Sequence, residues 1–219
     1  MLVLKLCLLS LILLLGSCAN RVQKAIRDVK YSAWEKVGVE KRDIFKREVA
    51  NVKENQEDSG EAFKDALTKL KEVYAFDGGN VEREYNKLNS SYQNANEDAE
   101  AVSASISKLN TVAEDLFTEW QGELNALDSA DLKRRSRDQL RQTRSKYENL
   151  YSHLKISEKK MAPVLARLKD QTVFLKHNLN AQAISGLKAE GDKIEGDIEK
   201  LITEMNKSNK EAEAFIKSI

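Results

Sequence analysis

From Phe45 onward, apolar residues return at alternating steps of four and three for almost the whole chain. The first run is Phe45, Val49, Val52, Gln56, Ser59, Phe63, Ala66, Leu70 and Val73. A second begins at Val81, Tyr85, Leu88 and Tyr92 and continues through Ala95, Ala99, Val102, Ile106, Leu109, Ala113, Leu116 and Trp120. A third joins Leu140, Thr143, Tyr147, Leu150, Leu154, Ser157, Met161, Val164, Leu168, Gln171 and Leu175. The fourth joins Ile184, Leu187, Gly191, Ile194, Ile198, Leu201, Met205, Ser208, Ala212 and Phe215. A repeat averaging 3.5 residues puts one narrow apolar seam on each helix and winds neighbouring helices left-handedly. It is the wrong period for strands. Only one proline and nine glycines are spread over 219 residues, so the chain has few places to turn.

Those turns are legible. Phe76-Asp77-Gly78-Gly79-Asn80 is a strong helix stop, in which Asn80 can cap the next helix. Leu127 to Asp131 is a weaker stop and Asn178-Leu179-Asn180 the weakest. The expected architecture is all-α: an elongated antiparallel helical bundle or coiled coil of three to four long helices, at about 21–75, 81–126, 131–177 and 181–218. Connections this short make sequential helices antiparallel. Pro163 lies inside the third pattern and should kink it. Ala33, Val37 and Phe45 break the phase of the first. Several seam positions are small or polar, including Gln56, Ser59, Ser157, Gln171, Gly191 and Ser208. Either the length of the bundle compensates for this dilute core, or a second copy or another protein completes a seam.

The N-terminus is of another kind. Lys5 precedes an apolar run from Leu6 to Leu15, short of the roughly 20 residues a spanning helix needs. A basic start, a short apolar stretch and small residues at its end make a secretory signal. Leu15-Gly16-Ser17-Cys18 resembles the lipobox of bacterial lipoproteins, so residues 1–17 are expected to be a cleaved signal and Cys18 the lipidated residue, with 18–219 a single domain. Ala19, in place of the Asp that retains lipoproteins in the inner membrane, directs the expectation to the outer membrane, facing the periplasm. Losing Lys5 leaves 35 basic residues against 35 acidic ones. Cys18 then remains as the sole cysteine, which leaves no disulfide, thiolate nucleophile or cysteine metal site.

Catalytic constellations are missing from the inventory. His153 and His177 stand 24 residues apart and outside any metal-binding spacing, and Asp77-Gly78-Gly79 is a helix stop and not a phosphate loop. No catalytic residue, metal ligand or cofactor is expected. The unusual charge run is Lys133, Arg134, Arg135 and Arg137, continuing to Arg141, Arg144 and Lys146. Cations are unfavourable near a helix N-terminus. With Arg21, Lys24, Arg27 and Lys30, these residues would form a membrane-proximal basic collar worth up to roughly 1 kcal/mol per charge. The simpler account is neutralisation by Glu114, Asp115, Glu119 and Glu123 on the antiparallel neighbour. Nucleic acid is not an expected partner at zero net charge and a periplasmic address. Asp77, Asn80, His177 and Asn180 mark the end away from the lipid, where an envelope protein or peptidoglycan would dock. Asn178 has a register or capping role, and Trp34 and Trp120 are helix-packing anchors.

Tyr31-Ser32-Ala33-Trp34-Glu35-Lys36-Val37-Gly38, Phe76-Asp77-Gly78-Gly79, Asp115-Leu116-Phe117-Thr118-Glu119-Trp120, Pro163-Val164-Leu165 and Phe174 through Ile184 span most of the chain. In these segments the sequence resembles an uncharacterised family of bacterial lipoproteins, domain of unknown function 2959. The resemblance implies a helical envelope protein of Gram-negative bacteria and carries over no site residues. The functional expectation is a non-enzymatic, lipid-anchored scaffold or adaptor, or else a binding or chaperone module whose dilute seams take apolar cargo.

Overall fold

The structure is a computed structural model, and it describes residues 41–75, 80–178 and 181–219. The chain separates into two units, Met1–Ile44 and Phe45–Ile219. Of the first, only 41–44 are described. Cys18, Arg21, Lys24, Arg27, Lys30, Trp34, Asp77 and Asn180 therefore lie outside the described residues.

Four helices make up the described chain: α1 (Lys41–Tyr74), α2 (Val81–Ala126), α3 (Ala130–His177) and α4 (Ala181–Ser218). Their starts follow from local chemistry. Asn80 is extended and its side-chain oxygen accepts from the Arg83 N–H at 3.0 Å, with Glu82 and Glu84 in the first turn of α2. Ser129 caps α3 in the same way through Leu132, and Asp131 follows it. The α3 helix ends at His177. Asn178 is its C-cap, donating its backbone N–H to Leu175 and its side-chain amide to the Phe174 carbonyl at 2.9 Å. Asn178 is thus a cap and lies off the buried seam. Helix α3 runs through Pro163 without interruption.

The unit from Phe45 is an antiparallel four-helix bundle in which each helix neighbours the next and α4 closes on α1. Paired side chains set the register. Lys53 meets Glu213 and Lys71 meets Glu195, so 18 residues forward on α1 are 18 back on α4. Between α1 and α2, Glu48 meets Lys108 and Asp65 accepts from Ser91, 17 forward against 17 back. Between α3 and α4, Lys160 meets Glu204 and Arg167 meets Asp197, seven against seven. Trp120 donates its indole N–H to Ser136 and locks α2 to α3.

Every position of the α1 seam from Phe45 to Val73 is buried, the polar Gln56 and Ser59 included. At one level each helix contributes one ring. Phe45 lies 5.9 Å from Phe117, 5.4 Å from Tyr147 and 5.4 Å from Phe215. Edge-to-face rings at these distances add to the burial energy. Farther along α1, Gln56 donates to Ser157 at 2.6 Å and accepts from Ser208 at 2.5 Å, a polar layer shared by α1, α3 and α4. Gln56, Ser157 and Ser208 thus satisfy one another inside the bundle. The α2 seam differs from its expected course: Val81, Tyr85, Tyr92, Leu116 and Trp120 are only half-buried, whereas Ser91, Phe117 and Leu124 are buried.

Candidate functional site

The N-terminal part of α3 holds the strongest charge concentration. Between Asp131 and Lys146 stand Lys133, Arg134, Arg135, Arg137, Arg141, Arg144 and Lys146, against Asp131 and Asp138. Helical geometry sorts them. Arg134, Arg137, Arg141 and Arg144 are spaced by three, four and three and form a stripe on one face. Arg135 falls to the side. The side chains of Arg134 and Arg141 remain 71% and 76% exposed.

The partners of these cations lie mostly in their own helix. Asp131 takes Arg134 at 2.6 Å and Arg135 at 2.8 Å, and Asp138 takes Arg141 at 2.7 Å. Of the α2 acids proposed as neutralisers, Glu114 accepts from Asn110, and Asp115 and Glu119 also have partners. Arg144 lies over the Phe117 ring, 5.1 Å from its centroid. Arg137 is exposed and makes no side-chain hydrogen bond or ion pair among the described residues.

Beside the stripe, a groove of about 280 Å³ runs between α2 and α3, lined by Gln121, Leu140, Glu148 and three of the four stripe arginines, Arg137, Arg141 and Arg144. Leu140 is 5% exposed and makes an apolar floor. The charge run is visible in the sequence. Gln121 and the ring of Phe117 are not among the expected site residues, although the seven-residue spacing of Phe117 and Leu124 is a signal for the ring.

The other end of the bundle brings together Asn80 at the start of α2 and His177 and Asn178 at the end of α3. Asn80 and Asn178 are occupied in capping, and His177 is exposed. Exposed Val173 and Phe174 are close by in α3. A second groove, of about 400 Å³ between α1 and α2, is acidic, with Asp58, Glu61, Asp65, Glu97 and Asp98 around it. Burial, then the charges of Asp58 and Glu97, pushes the Asp98 carboxyl above its usual range. Among the described residues, no group of three His, Cys, Asp or Glu is arranged for a metal ion. No described helix is long and apolar enough to cross a membrane.

The family described as "Protein of unknown function (DUF2959)" matches over residues 30–219. The chain belongs to that family. This DUF2959 chain matches no curated protein and no solved structure. The match includes every residue of the bundle and of both grooves, and it excludes Cys18.

Proposed function

We propose that this DUF2959 protein is a non-enzymatic, lipid-anchored scaffold or adaptor of the bacterial envelope, held by Cys18 in the outer membrane and facing the periplasm. The observation that carries the reading is the segment Leu13–Cys18, an apolar run ending in Leu-Gly-Ser-Cys. The bundle suits a spacer, since its longest helix, α3, has 48 residues and spans roughly 70 Å. The end bearing Asn80 and His177 is the natural face for peptidoglycan or an envelope protein. The packing weighs against apolar cargo in the seams. Gln56, Ser59, Ser157 and Ser208 are 0–1% exposed and bonded within the bundle, so no open seam is left at their level.

The test is metabolic labelling in a Gram-negative host. Labelled palmitate should enter the wild-type chain and not the Cys18→Ser variant, and the labelled protein should sediment with outer-membrane vesicles. Unlabelled wild-type protein, or label retained by the serine variant, would remove the anchor from the reading.

A further inference from the structure

We infer that the groove between α2 and α3 is a binding site for one phosphate group, with Arg137, Arg141 and Arg144 as its ligands. Four arginines spaced by three, four and three stand on one face of α3 and repel one another. Asp131 and Asp138 offset only part of this, because they engage Arg134, Arg135 and Arg141 and leave Arg137 and Arg144 without a carboxylate among the described residues. An anion in the groove supplies the missing charge.

The groove is also organised to receive one. Arg141 is held by Asp138 and Arg144 by the face of Phe117, so two guanidinium groups are held in place. Trp120 bonded to Ser136 fixes α2 against α3 beside them. Guanidinium groups present paired N–H donors that match two phosphate oxygens. Gln121 adds an amide, and buried Leu140 gives an apolar floor against which an ester carbon can rest. Glu148 also lines the groove, and its carboxylate disfavours a polyanion over a single anionic group. About 280 Å³ accommodates a phosphate ester such as glycerol phosphate. The same chemistry occurs on a phospholipid headgroup and on a small soluble ester. The site goes beyond the scaffold reading and is independent of Cys18.

Calorimetric titration of the full chain in dodecyl maltoside tests it, with glycerol 3-phosphate in one arm and monomeric dihexanoyl phosphatidylglycerol in the other. Saturable 1:1 binding is expected in at least one arm. Tighter binding of the lipid assigns the site to a headgroup, and binding of the soluble ester that is equal or tighter assigns it to a soluble ligand. Arg137→Ala with Arg144→Ala should weaken either by about tenfold or more, whereas Arg83→Ala, on α2 at the far end, should not. Arg137→Glu alone, at an exposed side chain with no bond to lose, should abolish binding with helicity retained, and it replaces the double variant if that one unfolds. No saturable binding in either arm, or unchanged binding in folded Arg137→Glu, overturns the inference. Palmitate labelling reads out separately, so failure of the groove and failure of the anchor are distinguishable.

Discussion

At the scale of single residues, the seam glycine of α4 has a definite reason. A β-carbon at Gly191 would lie 2.1 Å from Cε2 and 2.9 Å from Cζ of Tyr74. The tyrosine ring lies flush on the α4 backbone and its hydroxyl donates to Gln171 Oε1 at 3.0 Å. Burial, helped by the charges of Glu190 and Asp192, raises the phenol's pKa, so the hydroxyl stays a donor. Gly191→Ala should therefore destabilise by about 1–2 kcal/mol despite the better helix propensity of alanine, because the ring must leave its site. With Tyr74→Ala already in place, the same substitution should stabilise by about 0.5–1 kcal/mol. Urea unfolding of the four proteins of this cycle gives the sign. Destabilisation of the same size in both backgrounds would mean that the Tyr74 ring is not the obstacle.

At the scale of the element, legibility depends on how long a seven-residue repeat stays in phase. The seams of α1 and α3 read directly from spacing, since their alternating steps never break between Phe45 and Val73 or between Tyr147 and Leu175. In α2 the expected seam and the buried one coincide from Ala95 to Ala113, with Val81, Tyr85 and Tyr92 half-buried before that stretch and Leu116 and Trp120 half-buried after it. A straight helix drifts by about 20° per heptad against a 3.5 repeat, and a second consecutive step of four corrects the drift. The correction is visible in the burial: Leu109, Ala113 and Phe117 are all buried, two steps of four in succession, and Leu124 follows seven later. It brings Phe117 under Arg144, which is why the charge run is legible in the sequence and its groove is not. Pro163 is the other local violation. It is exposed within unbroken α3, so its ring fills no core space, while its missing N–H leaves a helical carbonyl without its usual donor. Pro163→Ala should stabilise the chain by about 1–2 kcal/mol, reduced from the full helix-interior cost by the extra freedom of the unfolded chain. A midpoint in urea equal to or below that of wild type would show that the local backbone has relaxed around the proline. The acidic groove between α1 and α2 gives a pH signature. The raised pKa of Asp98 means that the folded chain holds its proton more tightly than the unfolded chain, so stability falls as pH rises from 3.8 through the folded value. Asp98→Asn should gain well under about 1 kcal/mol at pH 7, because the group is solvent-screened, and should gain nothing below pH 3.8. Equal midpoints for the two proteins across that range would remove the strain.

At the scale of the whole bundle, two layers divide the work of stability and register. The aromatic layer takes one ring from each helix, with Phe45 fully buried at its centre. Phe45→Ala leaves a cavity facing Phe117, Tyr147 and Phe215 and should cost about 3–5 kcal/mol. The Gln56, Ser157 and Ser208 layer has the opposite character. Its bonds replace bonds to water, so the net gain is small, and Ser157 and Ser208 keep their own-helix acceptors, Leu154 and Met205, even without Gln56. What the layer does supply is a penalty for sliding, since a shift of one helix by a heptad puts Gln56 against apolar neighbours with its amide unbonded. Converting the layer together, Gln56→Leu with Ser157→Ala and Ser208→Ala, should leave unfolding free energy within about 1 kcal/mol of wild type or higher. The same variant should show more than one set of backbone amide resonances for α1, where wild type shows one, as heptad-shifted packings become comparable in energy. A single set in the converted protein would mean that the flanking ion pairs, Lys53 with Glu213 and Lys71 with Glu195, hold the register unaided. A loss of more than about 2 kcal/mol would instead make the polar layer a source of stability, against the small net gain expected of neutral hydrogen bonds.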